Sequence, residues 1–357
     1  MPRELEARRD ADGRRSAPER PLVEAYDLFC HYPVATPLVQ RLAQRGENRV
    51  VKAVDGVGFT IRRGETFALV GESGCGKSTI ARMAVGLQRP TGGSFRFDGE
   101  EVAGRRRDGR IQIVFQDPAR SLDPRWRVRR IIAEPMRASG ARDRAAMRRR
   151  VDALLDMVGL TSADGDRYPH EFSGGQRQRI SIARALADEP DFVVCDEPTS
   201  ALDVSVQAQI LNLMQDLQRR MGLTYLFISH DLAVVSQVAD TVGVMYLGRL
   251  VETGPAEALF ETPVHPYTRM LLSAVPSMDD ARPANEGPPV RGEVASPIDP
   301  PAGCAFHPRC PMADDRCRRE RPDLPVYADD RRRAAACHHA EPPAPAPPRG
   351  LARPGEA

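Results

Sequence analysis

The stretch "FALVGESGCGKSTIARMAVGL", residues 67–87, decides the fold. Its first four residues, Phe67 to Val70, form a short apolar run that reads as a buried strand. A helical pattern begins near Thr79. Between them, residues 71–79 fit the pattern G-x-x-x-x-G-K-[ST]. Gly71, Gly74 and Gly76 let backbone N–H groups turn inward around a phosphate, with Ser73 and Thr79 in the same loop, and the helix N-terminus adds its dipole. Lys77 is predicted to bridge the β- and γ-phosphates of ATP, and Ser78 to ligate Mg²⁺. A glycine-rich turn with a stray lysine would need neither the strand before it nor the helix after it.

Working outward, Phe192 to Cys195 and Tyr225 to Ile228 are further apolar runs, each followed by polar residues and a helical pattern. That alternation predicts a parallel sheet with crossover helices. "GSFRFDGEEV", with a turn at Asp98-Gly99, and "VGVMYLGRLVETG", with Gly248-Arg249 between apolar runs, predict antiparallel strands added to it. From about residue 117 to 172 the chain turns helical and Arg-rich. There Met147, Val151, Leu154, Leu155 and Val158 fall at helical spacing.

The strand ends carry the remaining chemistry. Asp196, closing "FVVCDEP", is placed to hold Mg²⁺, and Glu197 beside it is the natural general base for water attacking the γ-phosphate. His230, in "FISHD", falls at the same sheet edge, where open α/β folds bind ligands. Gln116, in "IVFQDP", is positioned to reach Mg²⁺ or the attacking water.

"HEFSGGQRQRI", residues 170–180, opens a second helix with Ser173, Gly174, Gly175 and Gln176. This is again the chemistry of an anion site. The phosphate loop already cradles its own nucleotide. The economical reading is that the second site serves a nucleotide held by another copy of the fold, so that two modules sandwich two ATPs.

Composition sets outer limits. The chain has 357 residues, 41% of them hydrophobic, enough for a sizeable core. The net charge of +2 argues neither for nor against a nucleic-acid partner. Residues 1–21 are charged, lack the apolar core of a secretory leader, and read as disordered. No apolar run approaches the ~20 residues of a membrane helix, which points to a soluble or peripheral protein. The seven cysteines favour a reducing compartment. Residues 276–301 turn rich in Pro, Gly, Asp and Ala, as a linker or strap would, and the Pro-rich residues 341–357 read as unstructured.

These motifs occur in order: residues 71–79, Gln116, 173–176, 192–197, "SALD" at 200–203, and His230. The set resembles the ATP-binding cassette of ABC transporters over residues 22 to about 275. The resemblance implies a P-loop NTPase core with a parallel sheet, an antiparallel β subdomain and a helical subdomain. It makes Tyr32 the aromatic that stacks on adenine, although a core tyrosine is the plainer alternative, and makes Asp203 the aspartate that crosses the dimer interface. Phe172 stands where the family usually has leucine.

"ETPVHPYTRMLLSAVP" (261–276) and "GCAFHPRCP" (303–311) are similar to the C-terminal extension of dipeptide, oligopeptide and nickel importer ATPases, here residues 276–340. The F-type subunit of that group is the nearest match. It implies pairing with a D-type ATPase, two transmembrane permeases, an extracytoplasmic substrate-binding protein, and a peripheral place on the cytoplasmic face of the inner membrane. The cargo is expected to be a peptide, with nickel, glutathione or another solute as alternatives. The permeases are expected to dock near residues 117–130, where Trp126 reads equally as an anchor or a core residue.

Cys304, Cys310, Cys317 and Cys337 follow the spacing C-x₅-C-x₆-C-x₁₉-C. The C-x₂-C pairs of most zinc sites are absent. Four thiolates on a loop-rich segment suit a [4Fe–4S] cluster, which some members of the resembled group carry. A zinc site completed by His307, His338 or His339, and free or disulfide-paired thiols, are the alternatives. Cys75, inside the phosphate loop, is expected to be sensitive to oxidation, and Cys30 and Cys195 to be small core residues.

Other functions of such ATPases fit less well. DNA-repair and chromosome ATPases insert long coiled coils between the two anion motifs, and none lies between Lys77 and Ser173. Ribosome-acting proteins carry two cassettes in one chain, and this chain has one. A scaffold without turnover would not need Lys77, Asp196, Glu197 and His230 together. No nucleic-acid partner is expected.

Overall fold

The computed structural model describes residues 20–34, 50–103, 109–274, 295–324 and 333–340. The segments read as disordered, residues 1–21 and 341–357, lie outside these apart from residues 20 and 21. So does the linker of 276–301 up to residue 294.

The core is a seven-stranded sheet in the order β11-β10-β9-β3-β8-β7-β6. Its strands are β3 (Thr66–Val70), β6 (Ile111–Val114), β7 (Phe192–Asp196), β8 (Thr224–Ser229), β9 (Thr241–Tyr246), β10 (Arg249–Pro255) and β11 (Ala334–Ala335). β6, β7, β8, β3 and β9 run parallel, while β10 and β11 are antiparallel additions. The three runs read as buried strands are β3, β7 and β8. They are continuous apolar runs because both faces are covered. Alternate residues serve two cores: Ala68, Val70, Val193, Cys195, Tyr225 and Phe227 face one, and Phe67, Leu69, Phe192, Val194, Leu226 and Ile228 the other.

The second core lies under a separate antiparallel sheet, β2-β1-β4-β5, formed by β1 (Val23–Pro33), β2 (Val50–Ile61), β4 (Gly92–Phe97) and β5 (Glu100–Glu101). Helix α1 (Lys77–Ala84) packs there through Ile80, Ala81, Met83 and Ala84. The hairpin at Asp98-Gly99 therefore belongs to this sheet and not to the parallel core. The other hairpin turns at Leu247 and Gly248, both at positive φ (43° and 79°), and Arg249 already begins β10.

The helical segment comprises α2 (Pro118–Ser121), α3 (Val128–Ile132), α4 (Glu134–Ala138) and α5 (Arg144–Met157). Asp143 caps α5 by accepting from the N–H groups of Ala145 and Ala146. Met147, Val151, Leu154 and Leu155 are its buried face, as their spacing requires, and Val158 is buried just beyond its end. Trp126 is half-buried against the first core, with the Arg130 guanidinium 3.8 Å from its ring centre. Next come α6 (Gly174–Ala185), α7 (Val204–Met221), α8 (Leu232–Val238), α9 (Ala256–Glu261), α10 (Pro266–Ser273) and α11 (Asp315–Arg319).

The parallel register decides where the site lies. Val70 pairs with Ser229, Val114 with Cys195, and Asp196 with Ile228. All four strands therefore end at one edge, and the loops that follow them meet there. The C-terminal extension is built into this body. Ala334 and Ala335 pair with Thr253 and Glu252 of β10, and Phe306 is buried edge-on against Tyr246, ring centres 5.3 Å apart.

Candidate nucleotide site and its relatives

At the sheet edge a cleft of about 690 Å³ is lined by the phosphate loop, Gln116, Glu197 and His230. The loop needs its glycines for space as well as for conformation. Gly76 has φ 108°, and a Cβ there would run into the Ala53 carbonyl oxygen. At Gly71 a Cβ would meet the Met245 carbonyl. Lys77 opens α1 with its side chain folded back into the loop. Its Nζ donates to the carbonyls of Gly71 at 2.7 Å and Glu72 at 3.0 Å.

The acidic side of the cleft is assembled from three strand ends. Ser78 Oγ donates to Asp196 Oδ1 at 3.2 Å. Burial pushes the Asp196 carboxyl up from its ordinary value, the Ser78 hydrogen bond opposes this, and the Glu197 charge adds to it. A carboxylate so desolvated, beside a hydroxyl, is a fitting ligand for a cation. Glu197 Oε2 accepts from Gln116 Nε2 at 2.9 Å and lies 3.2 Å from His230 Nδ1. Glu197 also has φ 48°, in a region that L-residues rarely occupy. Its N–H donates to the Ile228 carbonyl at 2.9 Å, which holds the strained backbone in place.

Tyr32 stands one residue back from the cleft. It pairs with Val51 of the cleft wall but does not itself line the cleft. Burial raises its phenol, and Cys30 and Thr79 both hydrogen-bond to it.

Ser173, Gly174, Gly175 and Gln176 are not part of this cleft. Ser173 caps α6 in a reciprocal box: its Oγ accepts the Gln176 N–H at 3.3 Å, and Gln176 Oε1 accepts the Ser173 N–H at 3.0 Å. Asp203 caps α7, accepting from Val206 N at 3.0 Å and Ser205 Oγ at 2.7 Å. The two helix starts touch. A Cβ on Gly175 would collide with Val206, and one on Gly174 would contact Leu202.

None of the seven cysteines is in a disulfide. Cys30 and Cys195 are fully buried, as core residues should be. Cys75 departs from expectation. It is 4% exposed, and burial raises its thiol, so it holds little of the thiolate that oxidation needs. Cys304, Cys310, Cys317 and Cys337 all have raised thiols, chiefly through burial, and Cys304 reaches about 11. The other three thiols each push Cys304 further up, which places the four in one neighbourhood. Cys317 Sγ also lies 3.5 Å from His339 Nε2, and Asp314 joins these two as a cluster of ligand-type atoms. His307 and His338 turn instead to backbone carbonyls, of Cys304 and Glu320.

Sequence reasoning missed three residues at the phosphate loop. The Glu72 N–H donates to the Tyr267 hydroxyl at 2.9 Å, and the Glu72 carboxylate is forked by Arg309 at 2.8 and 3.0 Å. Tyr267 lies in "VHPY" and Arg309 in "FHPRCP", stretches that carried a resemblance but no role.

Comparison with known proteins agrees with this geometry. Residues 54–200 match the family described as ABC transporter, and residues 251–317 match the oligopeptide/dipeptide transporter C-terminal region. The Di/tripeptide transport ATP-binding protein DppF of Pseudomonas aeruginosa is 49% identical over 328 residues, covering 90% of this chain and 98% of that protein. The chain belongs to the ABC ATP-binding subunits of the dipeptide and oligopeptide importer family. The Dipeptide transport ATP-binding protein DppF of Escherichia coli is 48% identical, over 87% of this chain and 92% of its own length. Among solved structures, cbiO1 of Clostridium perfringens, part of an ABC transporter complex, superposes with a TM-score of 0.58 at 28% identity. It covers 68% of this chain and 91% of its own. A dimeric ATP-binding cassette in a post-hydrolysis state with ADP and Pi matches at 0.57 and 26% identity, over 66% of this chain and 98% of its own. This ABC subunit is thus a transport ATPase that associates with a membrane complex. Among the described residues, no helix is long and apolar enough to cross a membrane.

Proposed function

We propose that this ATPase powers peptide import from the cytoplasmic face of the inner membrane, as one half of a two-cassette sandwich. One observation carries the reading: the phosphate loop and Glu197 share a cleft that Ser173–Gln176 do not line. A chain built this way offers half of each of two nucleotide sites. The second cassette, a D-type relative, supplies the other halves. The cargo reading rests on the relatives, whose names specify dipeptides, tripeptides or peptides.

In the proposed mechanism the N–H groups of the phosphate loop and the Lys77 ammonium bind the β- and γ-phosphates. Ser78, Asp196 and Gln116 would hold Mg²⁺, which supplies neutralising charge when bound. Glu197 accepts a proton from the water that attacks the γ-phosphate. Gln116 donates to Glu197 Oε2 and His230 lies beside the same oxygen, which leaves the other oxygen for that water. Tyr32 stacks on the adenine. Ser173, Gly174, Gly175, Gln176 and Asp203 act on the partner's nucleotide. ATP-driven closure moves the permeases, and hydrolysis reopens the sandwich.

Cys304, Cys310, Cys317 and Cys337 would hold an iron–sulfur cluster. The donor set suits it: four half-buried or buried cysteines of one neighbourhood can each supply a thiolate ligand. When bound, the cluster supplies a cross-link for the extension and takes no part in phosphate chemistry.

The test is an anaerobic affinity pull-down from native membranes, with co-purifying chains identified by mass. Two permeases and a second cassette ATPase are expected. Recovery of this chain alone, or with ribosomes or DNA, would overturn the transport reading and leave the ATP chemistry standing.

A further inference from the structure

Arg309 belongs to the C-terminal extension, yet it ends at the phosphate loop. Its side chain is only 9% exposed and lies against the rings of Tyr246 and Phe306, 5.9 and 5.8 Å from their centres. Those rings form a buried cluster with Tyr267. The guanidinium engages both oxygens of Glu72, a planar fork that lysine does not reproduce. Glu72 raises the proton affinity of Arg309, so the charge on the guanidinium is secure.

Every polar group of Glu72 is engaged. Its N–H is held by Tyr267, its carboxylate by Arg309, and its carbonyl accepts from Lys77 Nζ. Glu72 also lines the nucleotide cleft. A free carboxylate there would repel a polyphosphate and compete with it for the Lys77 ammonium. We propose that Arg309 is a positioning residue of the nucleotide site: by neutralising and anchoring Glu72 it keeps Lys77 available to phosphate, which makes the extension a working part of the ATP site. Arg309 directly precedes Cys310, so the cysteine loop and the clamp share one placement.

The proposal rests on the cleft binding ATP, and the experiment separates the two. ATP affinity is measured on the full chain, and steady-state turnover on the transporter assembled with it, for the native protein and for Arg309→Met, Arg309→Lys and Arg309→Met/Glu72→Gln, with thermal melts as a folding control. Arg309→Met is expected to weaken ATP about tenfold and raise KM in parallel, with kcat at saturating ATP within about threefold. Arg309→Lys, the milder variant, should lose about threefold. Removing the carboxylate in the double variant should restore most of the affinity, which a merely structural role for Arg309 would not do. Unaltered affinity in both single variants, or a double variant as weak as Arg309→Met, overturns the proposal. Failure of the unaltered chain to bind ATP would instead overturn the reading of the cleft.

Discussion

Acid should loosen this ATPase through one histidine. His265 is fully buried at the start of α10, where its Nδ1 accepts the Tyr267 N–H at 3.0 Å. Its ring also hydrogen-bonds to the Ala336 backbone. Nδ1 is thereby committed to the neutral form, since a proton on it would face an N–H, while the Ala336 contact opposes the effect. Burial, the largest cause, lowers its pKa to about 3, with Arg269 adding to the effect. The unfolded chain takes up this proton below about 6.5, and the folded chain does not until about 3. Stability contributed by the neutral ring is therefore complete above 6.5 and is lost as pH falls below it. Between pH 7.5 and 5.5 the loss from this one group is about 1.4 kcal/mol, on the order of one pH unit of unmatched protonation. Burial also raises the Asp196 and Glu252 carboxyls, so acidification acts on more than one group and the comparison must be a difference. Asn at position 265 retains a helix-capping acceptor and does not titrate. Urea unfolding of the native chain and His265→Asn at both pH values should show the native chain losing about 1.4 kcal/mol more. Equal losses in the two proteins would refute the argument.

Two further outcomes follow from the cleft. Glu197→Gln should keep ATP binding and lower turnover by roughly 10²–10⁴-fold, trapping the closed dimer; near-normal turnover measured by phosphate release would remove Glu197 as the base. Ser173→Arg should block hydrolysis at the partner's site while this chain's phosphate loop binds ATP as before. Loss of binding to this chain, read by nucleotide titration of the isolated subunit, would mean that the two anion motifs serve one site.

The parts of the fold that were legible in the sequence are those whose physics is local. β3, β7 and β8 are buried on both faces, so each is a bare apolar run, and residues 71–79 combine strand, loop and helix start in one stretch. β1 hides its period-two pattern because its pairing with β2 shifts register three times, between Ala25 and Leu28, Leu28 and Phe29, and Cys30 and His31. The β9–β10 turn lies one residue earlier than Gly248-Arg249 because Leu247, an apolar residue, adopts a positive φ more usual for Gly or Asn. Cys75 looked reactive from its place in the loop, but reactivity depends on burial, which only the packing reveals. The Arg309–Glu72 pair joins residues 237 positions apart, and neither partner has a local pattern that announces the other.

The two anion motifs are not independent decorations of the fold. Gly174 and Gly175 occupy the first positions of α6, whose N–H groups have no acceptor within the helix. Their lack of side chains leaves that backbone open and also lets α6 seat against Val206 and Leu202, beside the α7 cap Asp203. Further along α6, Ile180 and Ala183 enter the same core as Val193 and Cys195 of β7. β7 ends in Asp196 and runs directly into Glu197. In the proposed sandwich a partner's nucleotide at the start of α6 would therefore lie against the same packed core as the strand that carries the proposed cation ligand and base.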